Sequence, residues 1–436
     1  MGSTTLTMFN VSLETLQTVA DNFHTALMAG LCKEGQMIRA LPSFVCELPS
    51  GREEGDFLVV DLGGTNLRVG CAQLKGNGQF GLDMKRWALV DEMKNKAGCE
   101  LFDLIADCVK SYLKDSPHQT MGEALKGRPI SLGFTFSYPV KQDDIDHGIL
   151  IQWNKALVCN DVIGLDVVAL LQDALNKTDL ANVKVSALLN DTVGTLAAHA
   201  YVDVDTKISV LLGTGTNAAF IAPLSLVKKL AAHPTIQSHK EMIINTEWGA
   251  FGDGNGDLLP LLPLDKKIDS ETVNPGAQIL EKLLGGMYLG EIARLALELQ
   301  FGDGQMLGKP FDLETADLSK IEIDDGHGGV ALKEKLGWRD FDDTALQQAK
   351  DICRSVVKRS AQLCAAMLVG IYRLLGKPRT RTVVAFDGSL YEKYPRYSEY
   401  LEETIAALEP GHTMEFQLRK DGSIIGAAVI VAARKS

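Results

Sequence analysis

Two glycine-rich turns between apolar strands could bind phosphate. One follows a strand that ends at Asp61 and reads Gly63-Gly64-Thr65, and the other reads Gly213-Thr214-Gly215-Thr216. Glycines let backbone amides approach a phosphate closely and a threonine hydroxyl adds a donor, while Asp61 is placed to hold Mg²⁺ through water. Neither turn fits the P-loop or the dinucleotide-binding pattern, and one such turn alone is equally typical of a plain hairpin. Two related turns are more specific, and they predict two loops that close on the phosphates of one nucleotide.

A carboxylate lies where an apolar strand gives way to a helix, in the segment Leu189-Asn190-Asp191-Thr192. Aspartate at such a junction is a common helix N-cap and then needs no further role. The functional alternative is a general base. Ligands of α/β proteins gather at the carboxyl ends of strands, and proton removal from a sugar hydroxyl requires a carboxylate within hydrogen-bond reach.

Two further segments are candidates for ligand contacts. Glu247 lies between Thr246 and Trp248, ahead of a glycine-rich loop. This suits carbohydrate binding, because a carboxylate accepts hydrogen bonds from hydroxyls and an aromatic ring shapes the pocket; a purely structural role is the alternative. Gly388 and Ser389 follow a strand and precede a helix. They could contact an adenosine or its phosphates, although a plain Asp-Gly turn is the commoner explanation.

The elements around these residues alternate between strand and helix. The two strand–turn–strand units lie about 150 residues apart, which indicates two similar halves that face one another. Apolar runs predict further strands at 130–136, 183–189, 382–386 and 413–418. Helical periodicity predicts helices at 11–32, 102–113, 167–175, 278–299, 344–375 and 397–408, and from residues 191 and 423 onward. The segment 41–55, rich in proline and glycine, is expected to be a connector. This alternation predicts an α/β architecture.

Composition excludes several classes of protein. The 436 residues are 46% hydrophobic and 23% charged, which is incompatible with a disordered, collagen-like or coiled-coil chain and suggests two or three domains. The net charge of -12 argues against a general nucleic-acid binder. The uncharged stretch 208–227 carries Gly, Thr, Asn and Pro near its middle, so two buried strands are expected there rather than a membrane span.

Cysteine usage and the first residues favour the cytoplasm. The eight cysteines are scattered, without zinc-binding spacing, and are expected to be reduced core residues of a cytosolic protein. The first residues show neither a charged-then-apolar signal peptide nor a myristoylation pattern.

In their order along the chain, these motifs resemble those of the eukaryotic hexokinase and glucokinase family, in its single-unit form. The resemblance runs from about residue 9 to residue 432, and its segments are 58–69, 132–139, 188–196, 213–219, 244–251, 274–291, 387–391 and 421–428. It implies a two-domain α/β fold of the actin-like ATPase (ribonuclease H-like) kind. A sugar cleft would separate a small domain, 53–189 plus about 420–436, from a large domain, 1–52 plus 190–419.

The resemblance also implies a reaction and its residues. The reaction is ATP-dependent phosphorylation of a hexose, glucose or a relative, at the 6-hydroxyl, feeding glycolysis, with ATP and Mg²⁺ as cofactors. Asp191 would be the general base, and Lys155 would lie near the same hydroxyl. The sugar-binding residues would be Ser137, Asn154, Lys155, Asn190, Asp191, Asn217, Glu247 and Glu281. The nucleotide-binding residues would be Asp61, Gly63, Gly64, Thr65, Asn66, Arg68, Thr214, Gly388 and Ser389. The expected partners are the hexose and Mg-ATP, with no nucleic acid and no membrane segment, and the chain is expected to be a monomer or weak homodimer.

The chain departs from the family pattern in two places. Asn154 and Ala156 stand where the family usually carries Thr and Gly, and Ile424-Ile425 stands where Gly-Lys is frequent. One explanation of Asn154 is neutral drift in a polar contact, because Asn also donates and accepts hydrogen bonds. The chain would then remain a general hexose kinase. The alternatives are a kinase for N-acetylglucosamine, with a remodelled pocket, and a weakly active sugar sensor. The departure at Ile424-Ile425 is expected to affect either the contacts with the nucleotide or the packing of the last helix.

Overall fold

The structure is a computed structural model. It describes residues 7–64, 66–89, 97–118, 121–122, 126–153, 157, 159–302, 306–323, 328–337 and 342–434.

The strands and helices of these residues alternate along most of the chain. The strands are β1 (Leu41–Pro42), β2 (Glu54–Leu62), β3 (Asn66–Lys75), β4 (Phe80–Ala88), β5 (Ile130–Phe136), β6 (Val140–Asp144), β7 (His147–Leu150), β8 (Val183–Leu189), β9 (Thr206–Leu212), β10 (Thr216–Pro223), β11 (Glu241–Asn245), β12 (Thr382–Asp387) and β13 (Met414–Leu418). The α-helices are α1 (Leu13–Cys32), α2 (Gly98–Asp115), α3 (Val167–Lys177), α4 (Asp191–Val202), α5 (Thr235–Ser238), α6 (Pro263–Glu271), α7 (Ile279–Leu284), α8 (Gly286–Phe301), α9 (Thr315–Ile323), α10 (Gly328–Leu336), α11 (Asp343–Leu374), α12 (Ser389–Lys393), α13 (Tyr397–Leu408) and α14 (Gly422–Ala433).

The described strands form two large mixed sheets and one small ribbon. The first sheet has the order β4-β3-β2-β5-β8 and the second the order β1-β11-β10-β9-β12-β13, while β6 and β7 pair with each other. In each large sheet an antiparallel hairpin, β2–β3 or β9–β10, lies beside parallel strands. The duplicated unit predicted from the sequence is therefore confirmed as two equivalent hairpins, one in each sheet. The second hairpin also occupies most of the uncharged stretch 208–227, as expected.

The predicted elements are largely confirmed, with two differences. The segment 41–55 is not only a connector, because Leu41 and Pro42 form an edge strand that pairs with β11. The predicted helical region 278–299 is broken at Gly285 into α7 and α8. The break has a local cause: the amides of Gly286 and Met287 bind the carbonyls of Gly213 and Thr214, at 2.8 and 3.0 Å. These amides start α8 while they hold the second glycine-rich turn.

The cysteines only partly match the expectation. All eight are free thiols, and five of them are buried, for example Cys353, whose pKa is raised to about 12 by burial. Cys32 and Cys46 are half-buried, and Cys99 is exposed, so its assignment to the core was wrong. Among the helices of the described residues, none has both the length and the apolar character needed to cross a membrane.

Helices α4 and α14 cross in close contact and connect the two large sheets. Helix α4 packs on β9 of the second sheet, while α14 packs on β2 and β5 of the first. At the crossing, a Cβ on Gly426 would overlap the carbonyl of Gly194, and a Cβ on Gly194 would press on the backbone of Ser423. Ile424 and Ile425 are fully buried in α14, so this departure from the family pattern serves helix packing.

We predict that Gly426→Ala destabilises the protein even though alanine favours a helix over glycine by about 1 kcal/mol. The new methyl group would collide with backbone, which cannot rotate away, and overpacking of this kind costs about 1–3 kcal/mol. The midpoint of urea unfolding measures the effect. Gly122→Ala is the matched control, because a Cβ at Gly122 meets nothing within 4 Å. Equal midpoints for the two variants would show that the crossing tolerates a wider separation.

Candidate active site

A cavity of about 300 Å³ collects residues that are far apart in the sequence. Its lining residues are Asp61, Gly63, Gly64, Asn66, Arg68, Arg86, Ser137, Asp191, Leu211, Asp387 and Ser423. Seven of these were predicted as site residues, and they bring the first glycine-rich turn, the candidate base and one predicted sugar-binding residue, Ser137, to one place. The other four, Arg86, Leu211, Asp387 and Ser423, were not predicted.

A partly buried ion-pair network supports the first turn. Asp61 is 2% exposed and forms an ion pair with Arg68, which faces it on the neighbouring strand. Ser423 donates to the Oδ2 of Asp61 at 2.9 Å, and Arg68 Nη1 reaches Asp421 Oδ1 at 2.9 Å. Burial raises the pKa of Asp61, while the charge of Arg68 and the hydroxyl of Ser423 act in the opposite direction. The network fixes the start of α14 against the strands that flank the turn.

The candidate base lies at the first position of α4 rather than at its cap. The Oδ1 of Asn190 accepts from the amide of Thr192 at 2.9 Å, so Asn190 is the N-cap and the capping alternative for Asp191 is wrong. The Oδ1 of Asp191 also accepts from the Thr192 amide, at 2.9 Å. Its carboxylate is close enough to Asp61 to contribute to the raised pKa of that group.

A second polar cluster joins three predicted sugar-binding residues. Asn245 Nδ2 donates to Glu247 Oε1 at 2.8 Å, and Asn217 Nδ2 donates to Asn245 Oδ1 at 2.9 Å. Glu247 has a left-handed backbone, with φ of 54°, which turns the chain out of β11. The amide of Thr216 binds Glu281 Oε2 at 3.2 Å. Asn217, Glu247 and Glu281 therefore lie around the beginning of β10, and Asn245 is a member that the sequence prediction did not assign.

The second glycine-rich turn contacts the segment predicted to lie by adenosine. Gly388 has φ of 117°, and a Cβ there would overlap the carbonyl of Leu212. Only glycine allows this approach of β12 to the end of β9. Ser389 then begins α12, and Thr214 is exposed at the tip of the turn. Gly388 and Thr214 are thus placed in one region, as two contacts of one nucleotide require.

Trp153 and Cys159, which lie on either side of Asn154 and Lys155 in the sequence, contact each other. Trp153 Nε1 donates to the carbonyl of Cys159 at 2.7 Å, and the Trp153 ring packs edge-on against Tyr138 with centroids 4.7 Å apart. The predictions for Asn154 and Lys155, and for Thr65 in the first turn, concern positions outside the described residues. Of the described residues, no group of three or more His, Cys, Asp or Glu side chains is arranged to hold a metal ion.

The residues that the prediction missed differ in whether a sequence motif pointed to them. Asp387 directly precedes Gly388 and Ser389, which were predicted to bind the nucleotide, and Ser423 was predicted only as the start of a helix. Arg86 lies in no motif. Only the register of β4 against β3 places it at the cavity.

Comparison with known proteins agrees with this architecture. Two sequence models described as Hexokinase match residues 3–201 and 207–433. Hexokinase-7 of Oryza sativa subsp. japonica is 40% identical over 429 residues, which cover 93% of this chain and 91% of that protein. Hexokinase-1 of Rattus norvegicus is 36% identical over 98% of this chain and 47% of its own. The structure of a hexokinase from Schistosoma mansoni, solved in complex with glucose, is 34% identical, with a TM-score of 0.86 over 98% of this chain and 97% of its own.

These similarities define the chain as a kinase with the two-domain α/β hexokinase architecture. The chain belongs to the hexokinase family, whose sequence models together match nearly its whole length. The predicted resemblance and fold class are thereby confirmed, and the activity is that of a hexokinase-type hexose kinase.

We predict that the stability of the protein falls as the pH rises through the titration of Asp387. Burial, together with the charge of Asp421, raises the pKa of Asp387 from 3.8 to about 6, against the opposing effect of the Gly388 and Gly422 amides. The folded protein therefore holds this proton more tightly than the unfolded chain, and the free energy of unfolding decreases between about pH 4 and pH 6. The Asp387→Asn variant lacks this decrease. The difference in free energy of unfolding between the variant and the native protein should therefore favour the variant more at pH 7.5 than at pH 5.

Urea unfolding at the two pH values measures this difference. Asp343→Asn, at an exposed aspartate, is the control and should show the same relative stability at both. An Asp387→Asn variant without pH-dependent relative stability would contradict the assignment of the titration to this carboxyl group.

Proposed function

We propose that this chain transfers the terminal phosphoryl group of ATP to the 6-hydroxyl of glucose or a related hexose. The observation that carries the proposal is the cavity in which Asp191 lies with the first glycine-rich turn. A carboxylate and a phosphate-binding turn at one cavity are what transfer to a hydroxyl requires. Membership of the hexokinase family and the glucose bound by the Schistosoma mansoni relative support the choice of sugar.

In the proposed reaction, the 6-hydroxyl oxygen attacks the terminal phosphorus while the bond from that phosphorus to the bridging oxygen breaks. Asp191 accepts the hydroxyl proton, and ADP leaves with the bridging oxygen. Most of the catalytic effect comes from the alignment of the two substrates and from charge compensation. Closure of the cleft would exclude water and so protect ATP from hydrolysis.

The Gly63 amide donates to the carbonyl of Asn66 at 3.0 Å. The amide of Gly64 is therefore proposed to bind the phosphates from one side and Thr214 from the other. Gly388 and Ser389 would contact the adenosine. The Oδ1 of Asn190 is engaged as a helix cap, so its Nδ2 is the atom proposed to donate to a sugar hydroxyl. Ser137 and the cluster of Asn217, Glu247 and Glu281 would bind the remaining hydroxyls, with Asn154 and Lys155 from the neighbouring segment.

The residues present fit Mg²⁺ as a partner of the nucleotide rather than as a resident metal. The Oδ2 of Asp61 already accepts from Ser423 and pairs with Arg68, so a bare cation would compete with a guanidinium for it. We therefore propose that phosphate oxygens and water hold the ion, with Asp61 contacting it through water. When bound, Mg²⁺ neutralises charge on the phosphates.

The proposed domain boundaries follow the two sheets. The small domain would comprise 53–189 and about 420–436, because β2, β3, β4, β5 and β8 lie within the first range and α14 packs on their sheet. The large domain would comprise 1–52 and 190–419.

We propose the cytoplasm as the compartment of this protein. Two relatives are named as chloroplastic, so the compartment needs a direct test. Microscopy of the full chain with a fluorescent tag provides it.

Asp191→Asn and Asp191→Ala are expected to lower kcat by about 10²–10⁴-fold, the usual contribution of a general base. The Kd for glucose should change little, because the neighbouring hydrogen-bonding groups remain. Steady-state ADP release and calorimetric titration with the sugar measure the two quantities. Asp343→Asn is the matched control, because Asp343 is also the first residue of its helix but is exposed. A fully active Asp191→Ala variant would disprove the role of this residue.

The preferred sugar is tested by ADP release with Mg-ATP and a panel of glucose, fructose, mannose, glucosamine and N-acetylglucosamine. We expect glucose or mannose to give the highest kcat/KM. N-acetylglucosamine as the best substrate would instead make Asn154 the candidate determinant, and Asn154→Thr should then shift selectivity towards glucose. Sugar binding without ADP release would support the sensor alternative, which the buried positions of Ile424 and Ile425 no longer favour.

A further inference from the structure

Two arginines lie side by side at the cavity, on adjacent strands of the first sheet. In the strand register, Asp61 of β2 faces Arg68 of β3, and Arg68 in turn faces Arg86 of β4. Directly paired residues point to the same face of a sheet. The three side chains therefore form one row that leads from the buried interior of the cavity to its rim.

The charge of Arg68 is already compensated within the protein. Its guanidinium forms ion pairs with Asp61 and with Asp421, and Nη2 also donates to Ser423 Oγ at 2.9 Å. The side chain is only 20% exposed. Arg68 therefore has few donors left for a ligand, and its main effect is to hold the strands and the start of α14 together.

Arg86 differs from Arg68 both in its exposure and in the absence of a compensating charge among the described residues. It is exposed, it lines the cavity, and its side chain forms no hydrogen bond or ion pair with another described residue. Its cross-strand neighbour Arg68 has the same sign of charge, so this pairing gives the fold no attractive contact between the two side chains. Its neighbour Lys85 points to the other face of the strand and pairs with Asp115.

We propose that Arg86 is a nucleotide-binding residue that donates to the phosphate chain of ATP or ADP at the rim of the cavity. An anion placed here would supply the counter-charge that no described side chain gives Arg86. A planar guanidinium also matches phosphate geometry with two parallel hydrogen bonds. The inference rests on the proposed function in one respect, namely that the first glycine-rich turn receives the phosphates.

The test is calorimetric titration of the full chain with MgADP and with AMP. Arg86→Ala should weaken MgADP binding by about tenfold, which corresponds to about 1.4 kcal/mol, and should weaken AMP binding less. Arg86→Lys should show an intermediate loss, because it keeps the charge and loses the paired donors. Lys85→Ala removes the same charge from the adjacent position and should leave MgADP binding unchanged.

Unchanged MgADP affinity in Arg86→Ala would overturn the proposal, as would an equal loss in Lys85→Ala, which would reveal a general charge effect. Thermal unfolding without nucleotide should show Arg86→Ala to be as stable as the native protein, which separates binding from folding. The result is independent of catalysis. A native chain that binds MgADP through Arg86 but releases no ADP with any sugar would contradict the proposed function and leave this inference standing.

Discussion

The close crossing of α4 and α14 determines how the two sheets of this protein stand relative to each other. Neither Gly194 nor Gly426 carries a side chain, so the two helices meet backbone to backbone. The first turn of α4 holds Asn190 and Asp191, while the segment that starts α14 holds Ser423, which binds Asp61 beside the first glycine-rich turn. A single contact between helices thus sets the position of the candidate base relative to the first glycine-rich turn. Such a contact resists gradual adjustment, because interiors are close-packed.

Electrostatics impose the second constraint, since three carboxylates line a cavity proposed to receive a polyanion. The structure compensates the charge of one of them, because Asp61 is paired with Arg68 and hydrogen-bonded to Ser423. Burial raises the pKa of Asp387 to about 6, so this carboxylate loses its charge only in mildly acidic solution. Asp191 lies at the first position of α4, apart from this network. The ion pair lowers the repulsion of phosphate by Asp61, and the proposed base is not part of it.

The sequence was most informative where local chemistry determines structure. Apolar runs ended by glycine predicted both hairpins, and the strands 130–136 and 183–189 were placed without error. It was least informative where contacts are distant. Ser423 binds Asp61 across 362 positions, and Arg86 reaches the cavity only through strand register. The sequence also did not determine which residue caps the N-terminus of α4. Asn190 and Asp191 are equally good capping residues, and only the geometry distinguishes them.

The hydrogen bond from Trp153 to the carbonyl of Cys159 has a consequence for the wall of the cavity. It joins residues on either side of Asn154 and Lys155, and the Trp153 ring packs against Tyr138, whose neighbour Ser137 lines the cavity. A substitution that displaced the indole would therefore also disturb the position of Ser137, although Trp153 itself is not among the lining residues.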